Sequence, residues 1–501
     1  MAAPASTVQT THPAVRWRFA LLAAAALALS TGLYLVLRIT SNSPVIYAAP
    51  EEHFKYGSTG GEILDGIPYS VWMALPDLFP EFLPGKGYAS LGFLYEKGKD
   101  LPIGVSKREV QGVDRVFFNC AICHVASFRK TPESEPQFIA GAPSNTVDLR
   151  AFYEFVFNAA SDQKFTPPLI LAQIEKSGIR EDLLNQLIFR IYAIYAVRDS
   201  LLEQKQRLTF ILKEPEFGPG RIDTFSPAKA LLNFRMDNAP DSEGIGTTDL
   251  PSIWNQRRRE GMQLHWDGNN TKVQERNRSA AFGTGAYPPT LDRDNMKRVE
   301  DWIAEAKPPK FPYAIDESKS HRGAQIYAEL CANCHGPDGQ NFQPNQGLLG
   351  TVTPIEKIAT DRHRLDSYTY DLAVNQNLLY AGTKDPSERF SNFRKTYGYA
   401  NMPLDGLWLR APYLHNGSVP TLRDLFEPSA ARPPKFYRGD DVYDPVRVGF
   451  VSQYSTRGER KLFPYDTSVP GNGNQGHEGK VYGTELAAAD KDALVEFLKT
   501  F

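Results

Sequence analysis

Cysteine is scarce in this chain. Its 501 residues contain four, too few for a disulfide framework at that length. A basic excess is missing as well: 56 Lys plus Arg stand against 58 Asp plus Glu, for a net charge of -2 and a pI near 6.5. No electrostatic footprint for nucleic acid follows from that balance. Long apolar runs are absent with one exception, near the N-terminus. Strand signals are few and short, and apart from one cysteine pattern there is no internal repeat. Histidine (9) and methionine (6) are sparse, so the pool of candidate metal ligands is small. Disorder is excluded for most of the chain, because 42% apolar and 23% charged residues are close to the globular average. Gly 38 and Pro 37 lie slightly above the usual share and predict many turns and irregular connections.

The one apolar run is Phe19 to Leu37, which carries no charge. At about 1.5 Å per residue it reaches roughly 28 Å, enough to cross a thin hydrocarbon core. Arg16 and Arg18 precede it and Arg38 follows, which puts the N-terminus on the cytoplasmic side. A cleaved signal peptide with a small-residue site near Ala48-Ala49 competes with an uncleaved anchor. The run is longer than a usual signal core and Pro50 crowds the cleavage position, so the anchor is preferred. Either way the main body is exported, here to the periplasmic side of a bacterial inner membrane.

All four cysteines fall in two copies of one pentad, Cys120-Ala-Ile-Cys123-His124 and Cys331-Ala-Asn-Cys334-His335. At the chain's own frequencies about 0.0006 such pentads are expected by chance, and C-x-x-C-H is the attachment signature of c-type haem. The cysteines can form thioethers to the haem vinyl groups, and the histidine can be the proximal iron ligand. A zinc ribbon needs its pairs about 15–20 residues apart, far closer than these. A redox dithiol requires no following histidine. The reading is therefore two covalent haem c groups, with Cys120, Cys123, Cys331 and Cys334 as attachment points and His124 and His335 as ligands.

The expected fold is mainly α: two cytochrome c-type haem domains with extensive irregular loops and few short strands, plus an N-terminal transmembrane helix. The divisions are 1–18 cytoplasmic N-terminus, 19–38 anchor, 39–60 tether, 61–306 N-terminal haem domain, 307–313 Pro-rich linker and 314–501 C-terminal cytochrome c domain. Residues 63–118 read as an irregular wrap with short helices. Leu183 to Leu212 reads as a helix with Leu184, Leu187, Ile188, Ile191, Tyr195 and Leu202 on one apolar face. Ser320 to Leu330 reads as a helix running into the second pentad, and Glu485 to Lys499 as a terminal helix packing across it.

Which residue closes each iron decides whether it relays electrons or binds a small oxidant. His265, His321, His363, His415 and His477 are available in the exported part, together with Met402. His12 falls before the span and His53 in the tether. By default a lone ordered histidine is a hydrogen-bonded structural residue.

Several segments carry a family resemblance. The run R-G-A-Q-I-Y-A-E-L-C-A-N-C-H-G (322–336) followed by L-W-L-R-A-P-Y-L-H-N-G-S-V-P-T-L (407–422) resembles the bacterial di-haem cytochrome c peroxidase superfamily. The segments G-P-G-R-I-D-T-F (218–225), P-S-I-W-N-Q (251–256), G-M-Q-L-H-W-D-G-N-N (261–270), E-R-N-R-S-A-A (275–281) and P-G-N-G-N-Q-G-H-E (470–478) are similar to its rubber-oxygenase-like branch. The resemblance implies an N-terminal haem that binds dioxygen, with His124 as proximal ligand, and a C-terminal relay haem closed by two histidines. His477 is then the distal ligand of the relay haem. His415 is its rival, read as a supporting residue, and Met402 is the peroxidase-like alternative. Trp254 and Trp266 are candidates for an electron path between haems, against simple core filling. Arg221 is a candidate partner for a haem propionate, against an ordinary surface ion pair. Residues 267–270 (D-G-N-N) offer oxygens of the kind calcium takes, and the peroxidase relatives bind calcium between domains. They lack the spacing of a calcium loop, so a turn is preferred.

These readings imply a haem-dependent oxidoreductase, dioxygenase-like or peroxidase-like. Its partners would be a small oxidant and a small redox protein or membrane electron donor, with no nucleic acid. The competing reading is a pure electron carrier with both irons six-coordinate. A tethered enzyme cannot readily reach polymer outside the cell, so rubber is not the expected substrate.

Overall fold

The apolar run lies in a helix, Pro13–Ile39, in a computed structural model that describes residues 13–342 and 347–501. Most of the expected cytoplasmic segment 1–18, with His12, falls outside the described residues. Within Trp17–Ile39 nothing is buried against the rest of the protein, as a membrane span or a signal sequence requires. The last turn is tied down. The Arg38 guanidinium donates to Asp182 Oδ2 (3.1 Å), to Gly112 O (3.1 Å) and to Asn185 Oδ1.

Residues 39–60 are not the loose tether expected. Helix Pro50–Tyr56 buries His53, Phe54, Lys55 and Tyr56, and Phe54 stacks on Trp302 at 4.3 Å. The last turn of this helix is buried all round, and Phe54 and Tyr56 pack with Cys120, Ala121 and Val125 around the first pentad.

The stretch 63–118 is also more regular than its prolines suggest. Strands Val105–Val110 and Val113–Phe118 form an antiparallel hairpin, flanked by Asn42–Pro44 and Ile67–Pro68 in a four-stranded sheet. Gln111 and Gly112 both take positive φ (56° and 73°), the two-residue turn that suits strand twist. Helices Tyr69–Leu78, Leu149–Ser161 and Pro167–Lys176 cover this sheet. The core between them is aromatic: Trp72 stacks on Tyr88 at 4.3 Å, and Phe118 meets Phe152 edge-on at 5.0 Å. Such pairs add about 0.5–1.5 kcal/mol each beyond area burial.

The long helix expected from Leu183 is present as Leu183–Ile188, a π-helical turn Phe189–Ala193, and Ile194–Arg207. Its expected apolar face is split, with Ile188 and Leu202 packed half-buried against the core. Asn185, Phe189, Ile194 and Leu201 face inward, while Leu187, Ile191 and Tyr195 are exposed.

Helix Glu317–Leu330 starts at Asp316, whose side chain accepts from Lys319 N (3.1 Å), and runs into the second pentad. The terminal helix Ala488–Leu498 crosses it at Gly323, where a Cβ would collide with the backbone of Ala493. The Pro-rich stretch 307–313 is extended but does not separate the N-terminal core from the C-terminal one. One cluster joins Ala126, Phe128 and Trp254 to Phe311, Trp408 and Tyr443. The hairpin Val125–Phe128 with Gln137–Ala140, directly after the first pentad, thus packs into the C-terminal half.

Candidate haem sites

The first pentad sits on a tight turn, Cys120–Ile122. Asn119 caps it, accepting from Ala121 N (2.9 Å) and donating to Gly57 O (2.9 Å). His124 places Nδ1 3.0 Å from the Pro251 carbonyl. A carbonyl only accepts, so Nδ1 carries the proton and Nε2 keeps its lone pair for a metal. Burial pushes His124 down to about 4, so the ring is neutral. Burial also pushes Cys120 up to about 11 and Cys123 up to about 12, unlike the thiolate of a redox dithiol.

Cys120, Cys123 and His124 open onto a cavity of about 280 Å³. Phe217, Phe225, Leu231, Leu250 and Phe282 give it an apolar lining, with Arg276 and His265 as charged or polar members. The Arg364 guanidinium lies 2.6 Å from His265 Nδ1 and Asp267 Oδ1 lies 3.3 Å from the same atom. The two contacts demand opposite tautomers. Burial, with the Arg276 and Arg364 charges, pushes His265 down to about 3 and keeps it neutral, with Nδ1 engaged by these two partners.

The second pentad repeats the logic. His335 Nδ1 lies 2.8 Å from the Met402 carbonyl, so its Nε2 is free as well. The ring of His477 faces it, with centroids 6.4 Å apart and planes at 44°. His477 has positive φ (49°), donates its N–H to Ile358 O (2.8 Å) and packs on Tyr482 at 4.6 Å. Its Nδ1 is buried without a partner. Burial, with His335 and Arg432 beside it, pushes it down to about 3. These residues suit haem c at both pentads: paired sulfurs, a histidine with an oriented free nitrogen, and either apolar walls or a facing histidine.

The other candidates fall elsewhere. His415 stacks on Tyr399 at 4.2 Å, and its carbonyl accepts from Asp249 N (2.8 Å) and Thr248 Oγ1 (2.6 Å). Met402 presents its carbonyl to His335 and is also among the residues lining the cavity beside His124. Trp254 is fully buried and donates to Ala140 O (2.9 Å); Trp266 donates to Asp249 O (2.7 Å). Neither tryptophan lines that cavity. Arg221 is buried, not in a surface ion pair. It donates once, to Phe217 O (3.1 Å), and stacks on Tyr465 at 4.9 Å; its Nε and Nη2 lack partners. An anion such as a propionate would satisfy them. Residues 267–270 form a turn closed by Leu264 N to Asn270 O (2.8 Å), with Asp267 3.1 Å from Arg364 Nη1. Sequence reasoning missed the two carbonyls, of Pro251 and Met402, that orient the ligands. Both lie in proline-containing loops of no distinctive pattern, and only tertiary contact exposes their role.

Comparison with known proteins places cytochrome c sequence in the C-terminal part of the chain. The family model described as cytochrome c matches residues 320–396, and the one described as RoxA-like, cytochrome c-like matches residues 398–438. The chain is thus a c-type cytochrome, carrying covalently bound haem c in a redox or electron-transfer role. Uncharacterized protein y4iM of Sinorhizobium fredii is 31% identical over 306 residues, 53% of this chain and 68% of that protein. Uncharacterized protein y4iJ of the same organism is 29% identical over 94% of this chain and 97% of its own length. The chain belongs to the RoxA-like branch of c-type cytochromes, in one family with y4iM.

Proposed function

We propose that this chain is an exported, membrane-anchored redox enzyme with two haem c groups, one at Cys120–His124 that binds dioxygen or peroxide and one at Cys331–His335 that passes electrons. One asymmetry carries the reading. His335 faces a second histidine at 6.4 Å, whereas His124 opens onto an apolar cavity and, among the described residues, is paired with no second histidine ring.

The residues divide the work. Pro251 O and Met402 O hold the Nδ1 protons of His124 and His335, keep each ring in place and raise its basicity toward metal. The apolar cavity wall excludes water and suits an apolar substrate. His265, Arg276 and Arg259 are among the polar groups there able to orient a propionate or a bound oxidant. The segment 401–403 touches both sites: Met402 O holds His335, while Asn401, Met402 and Pro403 line the cavity beside His124. That continuity supports electron transfer between them. A small redox protein or a membrane-bound donor supplies the electrons, and the N-terminal helix holds the protein at the membrane, with its body on the periplasmic side.

The test is a carbon monoxide difference spectrum of the reduced full chain, with total haem measured alongside. Binding to about half of the haem is expected, from one open and one closed iron. No binding, with two low-spin irons, would leave a pure electron carrier. One haem per chain would overturn the two-site reading.

A further inference from the structure

We propose that the exposed apolar face of the helix Leu183–Arg207 docks on the phospholipid bilayer beside the N-terminal span; the inference rests on the membrane-anchored reading above. The helix buries Phe189, Ile194 and Leu201 in the core and still presents a second apolar stripe outward. Leu183 (84% exposed), Leu187 (52%), Ile191 (65%) and Tyr195 (48%) recur every fourth residue along the outside, with Tyr192 (67%) beside them. Polar Asn185 is buried on the inside. A solvated helix buries its apolar stripe, and a contiguous exposed stripe marks an interaction surface. The π-helical turn Phe189–Ala193 presents both Ile191 and Tyr192 outward; such turns are frequent at functional positions.

The position names the occupant. Asp182 caps this helix, accepting from Asn185 N (2.8 Å), and both Asp182 and Asn185 also accept from Arg38 at the end of the span. The apolar face therefore begins where the spanning helix leaves the bilayer. Its surroundings match that surface. Lys176, Arg180 and Arg190 lie near the stripe together with Glu175, Glu181 and Asp182, so the charge there is balanced; the two tyrosines suit the headgroup level. The same helix leads into Leu208 and Ile211, which line the cavity beside His124. Docking would bring that wall to the membrane, a route for a lipid-like substrate.

The test uses the full haem-loaded chain in vesicles of phosphatidylethanolamine and phosphatidylglycerol containing a diazirine phospholipid. Photolysis and peptide mass spectrometry then locate the lipid adducts. Adducts within both 19–37 and 183–195 are expected. In L187E/I191E the adducts at 183–195 should fall roughly tenfold or more, with those at 19–37 and the haem content unchanged. Adducts at 19–37 alone would overturn docking and leave the anchor standing. Protein-to-protein crosslinks at 183–195 in place of lipid adducts would assign the face to a second copy and overturn the proposal. Adducts at neither segment would remove the anchor and the docking together.

Discussion

Replacing His477 by alanine should convert the second site from closed to open. The centroids of His335 and His477 are 6.4 Å apart. An imidazole–iron–imidazole stack requires about 6 Å: two metal–nitrogen bonds of about 2 Å and two ring radii of about 1 Å. The pair fits a six-coordinate iron to within a few tenths of an ångström. Alanine reaches none of that distance, and no other histidine ring is paired with His335 among the described residues. In the reduced protein, the fraction of haem that binds carbon monoxide should therefore rise from about half to nearly all. Free imidazole should refill the gap and reverse the change. Losing a buried ring and a metal bond should also cost about 2–4 kcal/mol in denaturant unfolding. H415A is the control. His415 stacks on Tyr399 away from this pair and should leave the carbon monoxide fraction unchanged. An unchanged fraction in H477A at full haem content would refute the assignment. Opening by H415A instead would transfer it to His415.

Three further outcomes follow from buried groups. Asp405 accepts from Arg259 (2.5 Å), Arg410 (2.6 Å) and Asn255 (2.8 Å), so D405A leaves two buried guanidiniums unpaired and should cost about 3–5 kcal/mol in denaturant unfolding. Burial opposes ionisation of Asp405, but the two arginines outweigh it and hold its carboxyl below the usual range. Its stability contribution is therefore complete above the unfolded value near 4 and is lost as pH falls below that, and D405N should flatten acid unfolding there. Glu214 behaves oppositely: burial, with Asp223 beside it, pushes it up to about 10. It is protonated when folded and ionised when unfolded, so stability should fall as pH rises between about 4 and 10, by at most about 1.4 kcal/mol per unit. E214Q should remove that slope in melting curves taken from pH 6 to 9; an unchanged slope would contradict the assignment. G323V should push the terminal helix off Glu317–Leu330 and cost about 1–3 kcal/mol or more, with loss of the Soret circular dichroism of the second site.

How much of this was legible depends on how local each feature is. The two pentads, the helix entering the second and the terminal helix are written in short segments, and the chain folds them as read. Glu317–Leu330 and Ala488–Leu498 lie within a few residues of the expected helices. The hairpin at Gln111-Gly112 was legible too: V-S-K-R-E-V and V-D-R-V-F-F alternate around a two-residue turn, a signal masked by the proline-rich stretch before it. The roles of Pro251 and Met402 were not legible, because any residue offers a carbonyl and only the fold brings that one to His124 or His335. That packing crosses the Pro-rich stretch 307–313 was hidden for a similar reason. Proline breaks helices wherever it stands, but it does not report that Phe128 and Trp254 pack with Trp408 on the far side of it.

The helix at Leu183 exposes a deeper limit. Periodicity identifies a face and says nothing of what covers it. Leu187, Ile191 and Tyr195 recur as core residues do, so a core was the natural reading. The buried side holds Phe189, Ile194 and Leu201 with one polar residue, Asn185, which is held by Arg38 at the end of the N-terminal helix. The orientation of the helix is thus set by an anchor far away in sequence. If the bilayer meets this protein at Arg38, one solvent change accounts for both facts: apolar residues face outward because outside, at that point, is lipid. The buried asparagine is then the polar latch that turns the helix, and N185A should loosen it. Faster hydrogen exchange across 183–195 in vesicles is the expected reading, and unchanged exchange would show that the helix keeps its outward face without the latch.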